Sequence, residues 1–298
     1  MTTDALTRLS AAVARHASGD GAHETPVPEL LLARRSVPSD FEAVTYAASL
    51  CVVAQGVKEV RLAGEAFRYD PAQWLLVSVD VPATARVVEA SPSRPCLAVR
   101  VTLDPAVVNE LLSGGTPPMR PGPSARALGV ERADPPLLDA VTRLVTLLDT
   151  PADVPALAPL VLREITYRVL TGPHGPRLRQ ISAAGAPAHR VARAVRWLTE
   201  HFAEPLRVPD LARYVGMSPS ALHMHFKSVT TLSPLQYQKR LRLQEARRLM
   251  LGQGLDAAEA SFRVGYESPS QFGREYRRMF GESPRRDVAA LRVEAQPT

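Results

Sequence analysis

The sequence predicts an α+β chain: an antiparallel β-barrel with attendant helices, then an all-α double helix-turn-helix. Three observations carry this. First, Val215-Gly216-Met217-Ser218-Pro219-Ser220 returns about fifty residues later, with one insertion, as Val264-Gly265-Tyr266-Glu267-Ser268-Pro269-Ser270. Self-similarity at a fixed spacing marks a repeated supersecondary unit. Second, from Phe41 to about Asp104 the apolar period is two, as in half-buried strands. Third, charge is uneven: from Arg190 onward there are 18 Arg plus Lys against 11 Asp plus Glu, and elsewhere 18 against 19. The whole excess behind the net +6 and the pI of about 9.7 lies in the C-terminal third. That asymmetry points to a polyanionic partner, although a merely solvated basic surface has the same charge.

The elements follow in order. Residues 1–40 hold a weak helix, Leu6 to His16, and then a Gly/Pro-rich arm. Within 41–170, Val60 and Leu62 alternate with Glu59 and Arg61, and Leu97, Val99, Val101 and Leu103 with Ala98, Arg100 and Thr102. Gly56, Gly64, Asp70-Pro71, Val81-Pro82 and Pro92 punctuate the runs, the signature of an antiparallel barrel or sandwich. So small a sheet unit needs cover. Val107 to Leu112 supplies a short helix ended by Gly114-Gly115, and a loose Pro/Gly stretch runs to about Pro136. Leu137, Leu138, Val141, Leu144, Val145 and Leu148 form one amphipathic stripe, and Leu157, Leu160, Val161, Ile165 and Val169 a second. Two readings of these stripes stay open: packing on the barrel, or pairing with another subunit. Residues 171–188 read as a linker.

From 189 to 298 the elements are helical. Val191 to Phe202 is amphipathic, and Val208 to Tyr214 opens the first repeat. Gly216 permits the turn, Ser218 caps the next helix, and Pro219 suits its first position, where no amide is needed. Leu222 and Phe226 then point inward, leaving Ser220, His223, Met224 and Lys227 outward. Tyr237 to Leu251 is a long connecting helix. Ala257 to Arg263 opens the second repeat, in which Ser268 caps, Phe272 and Tyr276 face in, and Ser270, Gln271, Gly273, Arg274 and Arg277 face out. A glycine inside a helix costs about 1 kcal/mol against alanine. On an outer face it suits close approach by another backbone.

Other classes meet obstacles. With only Cys51 and Cys96, the chain has neither a disulfide framework nor a four-thiolate zinc site. No secretory signal pattern and no apolar run near the roughly 20 residues of a membrane span is present, so a cytoplasmic protein is expected. Histidine is absent from 24–173, which counts against a metal-binding barrel, and no cofactor is expected. His223 and His225 are two apart on a helix, the wrong spacing for a shared metal. Cys51 is either a buried core residue or a reactive thiol. Phe67, Tyr69 and Trp74 either line an effector pocket with Cys51 or fill the barrel core. Cys96, after Pro95 at a strand start, carries the same two readings as Cys51.

The C-terminal repeat, above all Val264-Gly265-Tyr266-Glu267-Ser268-Pro269-Ser270-Gln271-Phe272 through Phe280-Gly281-Glu282-Ser283-Pro284, resembles the AraC/XylS-type DNA-binding domain. The N-terminal half is similar to the N-terminal domain of one AraC-like subgroup. Ser49-Leu50-Cys51-Val52-Val53-Ala54-Gln55-Gly56, Tyr69-Asp70, Leu75 through Pro82 and Glu89-Ala90-Ser91-Pro92 carry that resemblance. It implies a cupin-like sensing or dimerising barrel, a homodimer, a small-molecule effector, promoter or operator DNA as partner, and RNA polymerase if the protein activates. The C-terminal resemblance implies that Ser220, His223 and Met224 read bases from one helix and Ser270, Gln271, Gly273 and Arg274 from the other. Lys227 and Arg277, one turn on, then meet phosphate. Met224 offers only apolar contact, for example with a thymine methyl, and Arg274 suits guanine. Two alternatives remain in view: a barrel enzyme carrying a DNA-binding tail, and a DNA-alkyl-repair sensor, which needs a zinc-bound acceptor among several cysteines.

Overall fold

The computed structural model describes residues 2–71, 73–115, 126–183 and 185–294. The chain forms two units, Met1–Ala192 with Ser228–Thr231, and Arg193–Lys227 with Leu232–Thr298.

The first unit opens with helix α1 (Thr2–His16) and continues through strands β1 (Gly21–Glu24), β2 (Leu30–Arg35), β3 (Glu42–Tyr46), β4 (Ser49–Gln55) and β5 (Val57–Leu62). Strands β6 (Glu65–Tyr69), β7 (Gln73–Val77), β8 (Val81–Glu89) and β9 (Cys96–Thr102) follow. Then come α2 (Pro105–Ser113), β10 (Leu128–Arg132), α3 (Pro135–Thr146), α4 (Val154–Thr171) and α5 (Gly175–Ser182). One antiparallel sheet has the order β1-β2-β9-β4-β7-β10, the other β3-β8-β5-β6. The β5–β6 hairpin turns on Ala63-Gly64, both at positive φ, the conformation a two-residue turn demands. Gly56 (φ +85°) carries the chain from β4 in the larger sheet to β5 in the smaller one. A Cβ there would lie 2.6 Å from the Glu89 carbonyl oxygen and 2.8 Å from the Cys96 Cβ.

Strand parity assigns each side chain a side. Leu50 and Val52 of β4, Trp74 and Leu76 of β7, and Leu97, Val99 and Val101 of β9 join one core with the buried faces of α1, α2, α3 and α4. The intervening Cys51, Cys96, Ala98 and Arg100 line the space toward the second sheet. Helix α3 buries its stripe completely. Helix α4 splits its own: Val161, Ile165 and Val169 are buried, but Leu157 and Leu160 are 43% and 63% exposed. No single helix among the described residues is long and apolar enough to cross a membrane.

Three segments differ from the sequence reading. The arm contains β1 and β2. Leu30-Leu31-Leu32 is a continuous apolar run that hides the period of two, although only Leu30 and Leu32 are buried. The stretch before Pro136 contains β10, paired with β7; its residues 116–125 lie outside the described ones. The presumed linker carries α5, whose Leu178 joins the core. Gly175-Pro176 sits at the start of that helix, where proline is tolerated, and so does not break it.

The helices of the second unit follow from α6 (Pro187–Glu200): α7 (Val208–Val215), α8 (Pro219–Thr230), α9 (Pro234–Gly252), α10 (Ala257–Arg263), α11 (Pro269–Phe280) and α12 (Pro284–Glu294). Helix α9 buries Tyr237, Leu241, Leu243, Ala246, Leu249 and Met250. The last four belong to a core with Ala260, Val264, Tyr266, Phe272, Tyr276 and Val288. A polar frame supplements it. Asp287 of α12 accepts two bonds from Arg247 of α9, at 2.8 and 2.6 Å, and one from the Tyr276 hydroxyl of α11 at 2.6 Å. A bidentate pair of this kind fixes orientation as well as distance.

Candidate nucleic-acid interface and inter-sheet cavity

Each repeat is built by the same local rules. Gly216 ends α7 in the left-handed conformation (φ 72°). The Ser218 hydroxyl accepts from the Ala221 amide at 3.2 Å and so caps α8. Helix α8 buries Leu222 and Phe226, and the Phe226 ring meets Tyr237 edge-on at 5.5 Å. In the second repeat Gly265 turns the chain at φ +86°, and a Cβ there would sit 1.9 Å from the Ala203 carbonyl oxygen. The Ser268 hydroxyl accepts from the Gln271 amide at 3.3 Å, and Phe272 and Tyr276 are buried.

The outer faces follow by exclusion. Ser220, His223, Met224 and Lys227 are exposed on α8, as are Ser270, Gln271, Arg274 and Arg277 on α11. Met224 is 60% exposed, a high value for an apolar side chain of a folded unit. Gly273 is half-exposed, and a Cβ there would meet open space, so packing does not demand glycine. The ion pairs of this unit engage Arg213, Lys239, Arg247, Arg248 and Arg286. Lys227, Arg274 and Arg277 have no carboxylate partner among the described residues.

One residue that the sequence reading missed organises the α11 face. Glu275 accepts from Lys239 at 2.7 Å, from the Tyr266 hydroxyl at 2.8 Å and from the Gln271 amide at 3.3 Å. Burial works to raise its carboxyl, but these donors outweigh burial and hold it below the usual carboxylate range. Gln271 is thereby tied to its own helix. The sequence signal was its i,i+4 spacing from Gln271.

A cavity of about 330 Å³ lies between the two sheets of the first unit. Cys51 and Tyr69 line it; Phe67 and Trp74 do not. Trp74 pairs with Val52 across the β4–β7 ladder, so its parity turns it to the helix side. There its ring meets His174 edge-on at 5.4 Å and its indole N–H donates to the Arg132 carbonyl at 3.2 Å. Phe67 shares the parity of Tyr69 but pairs with Val60, nearer the hairpin turn, and stays half-buried outside the lining.

The lining also holds Cys96 and adds three groups that the sequence reading did not single out. Tyr46, Lys58 and Arg100 join Cys51 and Tyr69, and the Tyr46 and Tyr69 hydroxyls are hydrogen-bonded to each other. Burial pushes both phenols and both thiols up, so all four are held protonated. A protonated thiol is the unreactive form, which favours Cys51 as a packing residue. No group of three or more metal-ligating residues occurs among the described residues.

A family model described as the N-terminus of AraC-type transcriptional regulators matches residues 26–177, and a helix-turn-helix domain model matches 211–289. The HTH-type transcriptional activator RhaS of Escherichia fergusonii is 31% identical over 157 residues, 52% of this chain and 55% of that protein. The chain thus spans about half the length of the curated relatives it matches. Among solved structures, ToxT from Vibrio cholerae superposes with a TM-score of 0.55 at 8% identity, covering 87% of this chain and 97% of that one. A ToxT structure with unsaturated fatty acid bound gives 0.54 at 10% identity, over 87% and 94%. At such identity the likeness is one of fold.

Proposed function

The chain belongs to the AraC-type transcriptional regulators, and from that premise we propose how its two units divide the work. The C-terminal unit binds double-stranded promoter or operator DNA by sequence. The N-terminal unit takes a small-molecule effector between its sheets, and the chain acts by binding, without catalysis, in the cytoplasm. If it activates, RNA polymerase is its further partner.

The observation that carries the DNA reading is the matched pair α8 and α11. Each is capped by serine, started by proline and anchored by two buried side chains, and each leaves an outer face with cations free of carboxylates. Helices so presented enter successive major grooves, about 34 Å or one turn apart. Mapping the DNA bound genome-wide, then footprinting the full chain on one site, tests this. Two protected blocks one turn apart are expected, and a single short block would sink the two-reader arrangement.

The cavity itself supports the effector reading, since its volume lies at the lower end of small-molecule sites. An effector shifts DNA binding only if it binds the two states unequally. For a homodimer the supporting observation is the outer face of α4, where Leu157, Leu160 and Tyr167 stand exposed. A second copy covers such a stripe by two-fold symmetry. Sedimentation equilibrium should show dimer for the wild type and monomer for Leu160→Glu; an unchanged mass would remove α4 from the interface.

A further inference from the structure

The charge balance of the inter-sheet cavity carries an inference that deepens the effector reading and rests on it. Five cations line the cavity: Arg34, Arg35, Lys58, Arg86 and Arg100. Three are answered by carboxylates. Arg35 meets Glu42 at 2.6 Å, Arg86 meets Glu59 at 2.7 Å, and Arg34 lies 3.9 Å from Asp20. Lys58 and Arg100 have no ion-pair partner among the described residues. They come from opposite sheets: Lys58 from β5, where Tyr69 is its cross-strand partner, and Arg100 from β9, where Cys51 is its partner. The Arg100 Nε is fully buried and donates to nothing among the described residues.

Like charges in a half-buried space, without a counter-ion, are costly to hold. A buried guanidinium nitrogen with no acceptor adds to that cost. We propose that this cavity is a site for a small organic anion, its carboxylate or phosphate head held between Lys58 and Arg100 and its apolar body lodged among Leu31, Val44, Val87 and Ala98. The hydrogen-bonded phenols of Tyr46 and Tyr69 are protonated because they are buried, and the pair keeps one hydroxyl hydrogen to donate. The cavity therefore offers two positive charges and neutral hydroxyls, with its only lining carboxylate, Glu42, already engaged by Arg35.

The test uses the full chain and two readouts. In the first, the unliganded protein is melted as wild type, Lys58→Met, Arg100→Met and Lys58→Arg. Removing either unanswered charge should raise the melting temperature, and Lys58→Arg should leave it close to wild type. If both Met variants fall well below wild type, each cation is structurally paired and the proposal is overturned. In the second, calorimetry compares phenylacetate, hexanoate and phenyl phosphate with phenylacetamide and hexanamide. At least one anion should bind and its neutral amide should not. Each Met variant should lose at least about tenfold in affinity, the factor a charge-assisted bond is worth, and Lys58→Arg should retain binding. Preference for phenyl phosphate or for the carboxylates identifies the head. Amides that bind as well as the acids, or Met variants that bind the acids undiminished, overturn the anion site. Operator affinity measured with and without the bound acid separates this from the reading it rests on. A Lys58-dependent acid that leaves operator affinity unchanged keeps the anion site and removes its regulatory role. A neutral molecule that shifts operator affinity while no acid binds keeps the effector reading and removes the anion site.

Discussion

Arg242 on α9 is the residue whose loss should loosen the DNA-reading unit most at one stroke. Its guanidinium donates to four backbone carbonyls: Phe202 at 2.6 Å, Gly265 at 2.7 Å, Glu204 at 2.8 Å and Ala203 at 3.1 Å. It joins the loop after α6 to the turn of the second repeat. Arg242→Met would not orphan all four. The Gln238 amide also donates to Phe202 at 3.0 Å and to Glu204 at 2.7 Å, so those two keep a partner. Ala203 and Gly265 lose the donor this frame gives them. An unsatisfied buried carbonyl costs roughly 1–3 kcal/mol, and Arg242 is only half-buried, so water recovers part of it. The expected loss is about 2–4 kcal/mol, on the order of 10–20 °C for a unit of about a hundred residues. Urea unfolding followed by Trp197 fluorescence, in a Trp74→Phe background, isolates this unit. Arg242→Lys should recover little, because one ammonium cannot reach acceptors spread over a fork. A loss under about 0.5 kcal/mol for the Met variant, or full recovery by lysine, would refute the argument; the floor is half the smallest single-carbonyl cost.

Three further outcomes are expected. Gly273→Ala should stabilise α11 by about 0.5–1 kcal/mol, since nothing lies near the added methyl, yet weaken operator binding if DNA backbone approaches there; unchanged binding would count against that approach. Arg274→Ala should relax preference at one or two base pairs at a cost of about 1–3 kcal/mol, whereas Arg277→Ala should weaken all sequences alike and flatten the salt dependence. Identical behaviour on a randomised operator panel would void the division. The depressed Glu275 carboxyl stabilises the fold above its ordinary value of 4.5, and that contribution is lost as pH falls through the lower folded value. Acid unfolding of Glu275→Gln should therefore be shallower than that of wild type below about pH 4.5; an identical acid limb would show that the three donors contribute no net stabilisation.

The C-terminal unit was legible because its signals are local. Ser218-Pro219 and Ser268-Pro269 announce helix starts, and the i,i+4 pairs Leu222/Phe226 and Phe272/Tyr276 decide which face points in. A glycine such as Gly265 could be read as a turn, though not as the point of contact with Ala203. In the N-terminal unit the helices were legible from their apolar stripes, but the strands only where they alternate. Strand β2 starts in a run of leucines, and β10 lies in a Pro/Gly-rich region, so neither shows its period. The cavity was least legible. Trp74 could be read as pocket or as core, and register with Val52 alone fixes its side. Lys58 and Arg100 drew no attention in sequence because a lone cation on an alternating strand reads as the solvated face. Only the pairing of two sheets turns that face inward.

The caps and anchors of α8 and α11 also bear on how such a protein changes over generations. Side chains that hold each helix in place and side chains that face outward form separate sets: Leu222, Phe226, Phe272 and Tyr276 are buried, whereas Ser220, His223, Met224, Ser270, Gln271 and Arg274 are exposed. Surface substitutions away from packing contacts usually alter stability by no more than about 0.5 kcal/mol. Lineages can therefore drift in operator preference one base at a time without passing through unfolded intermediates. The same separation makes α8 and α11 exchangeable cassettes, whose outer residues can be randomised in a library while the scaffold beneath them stays intact.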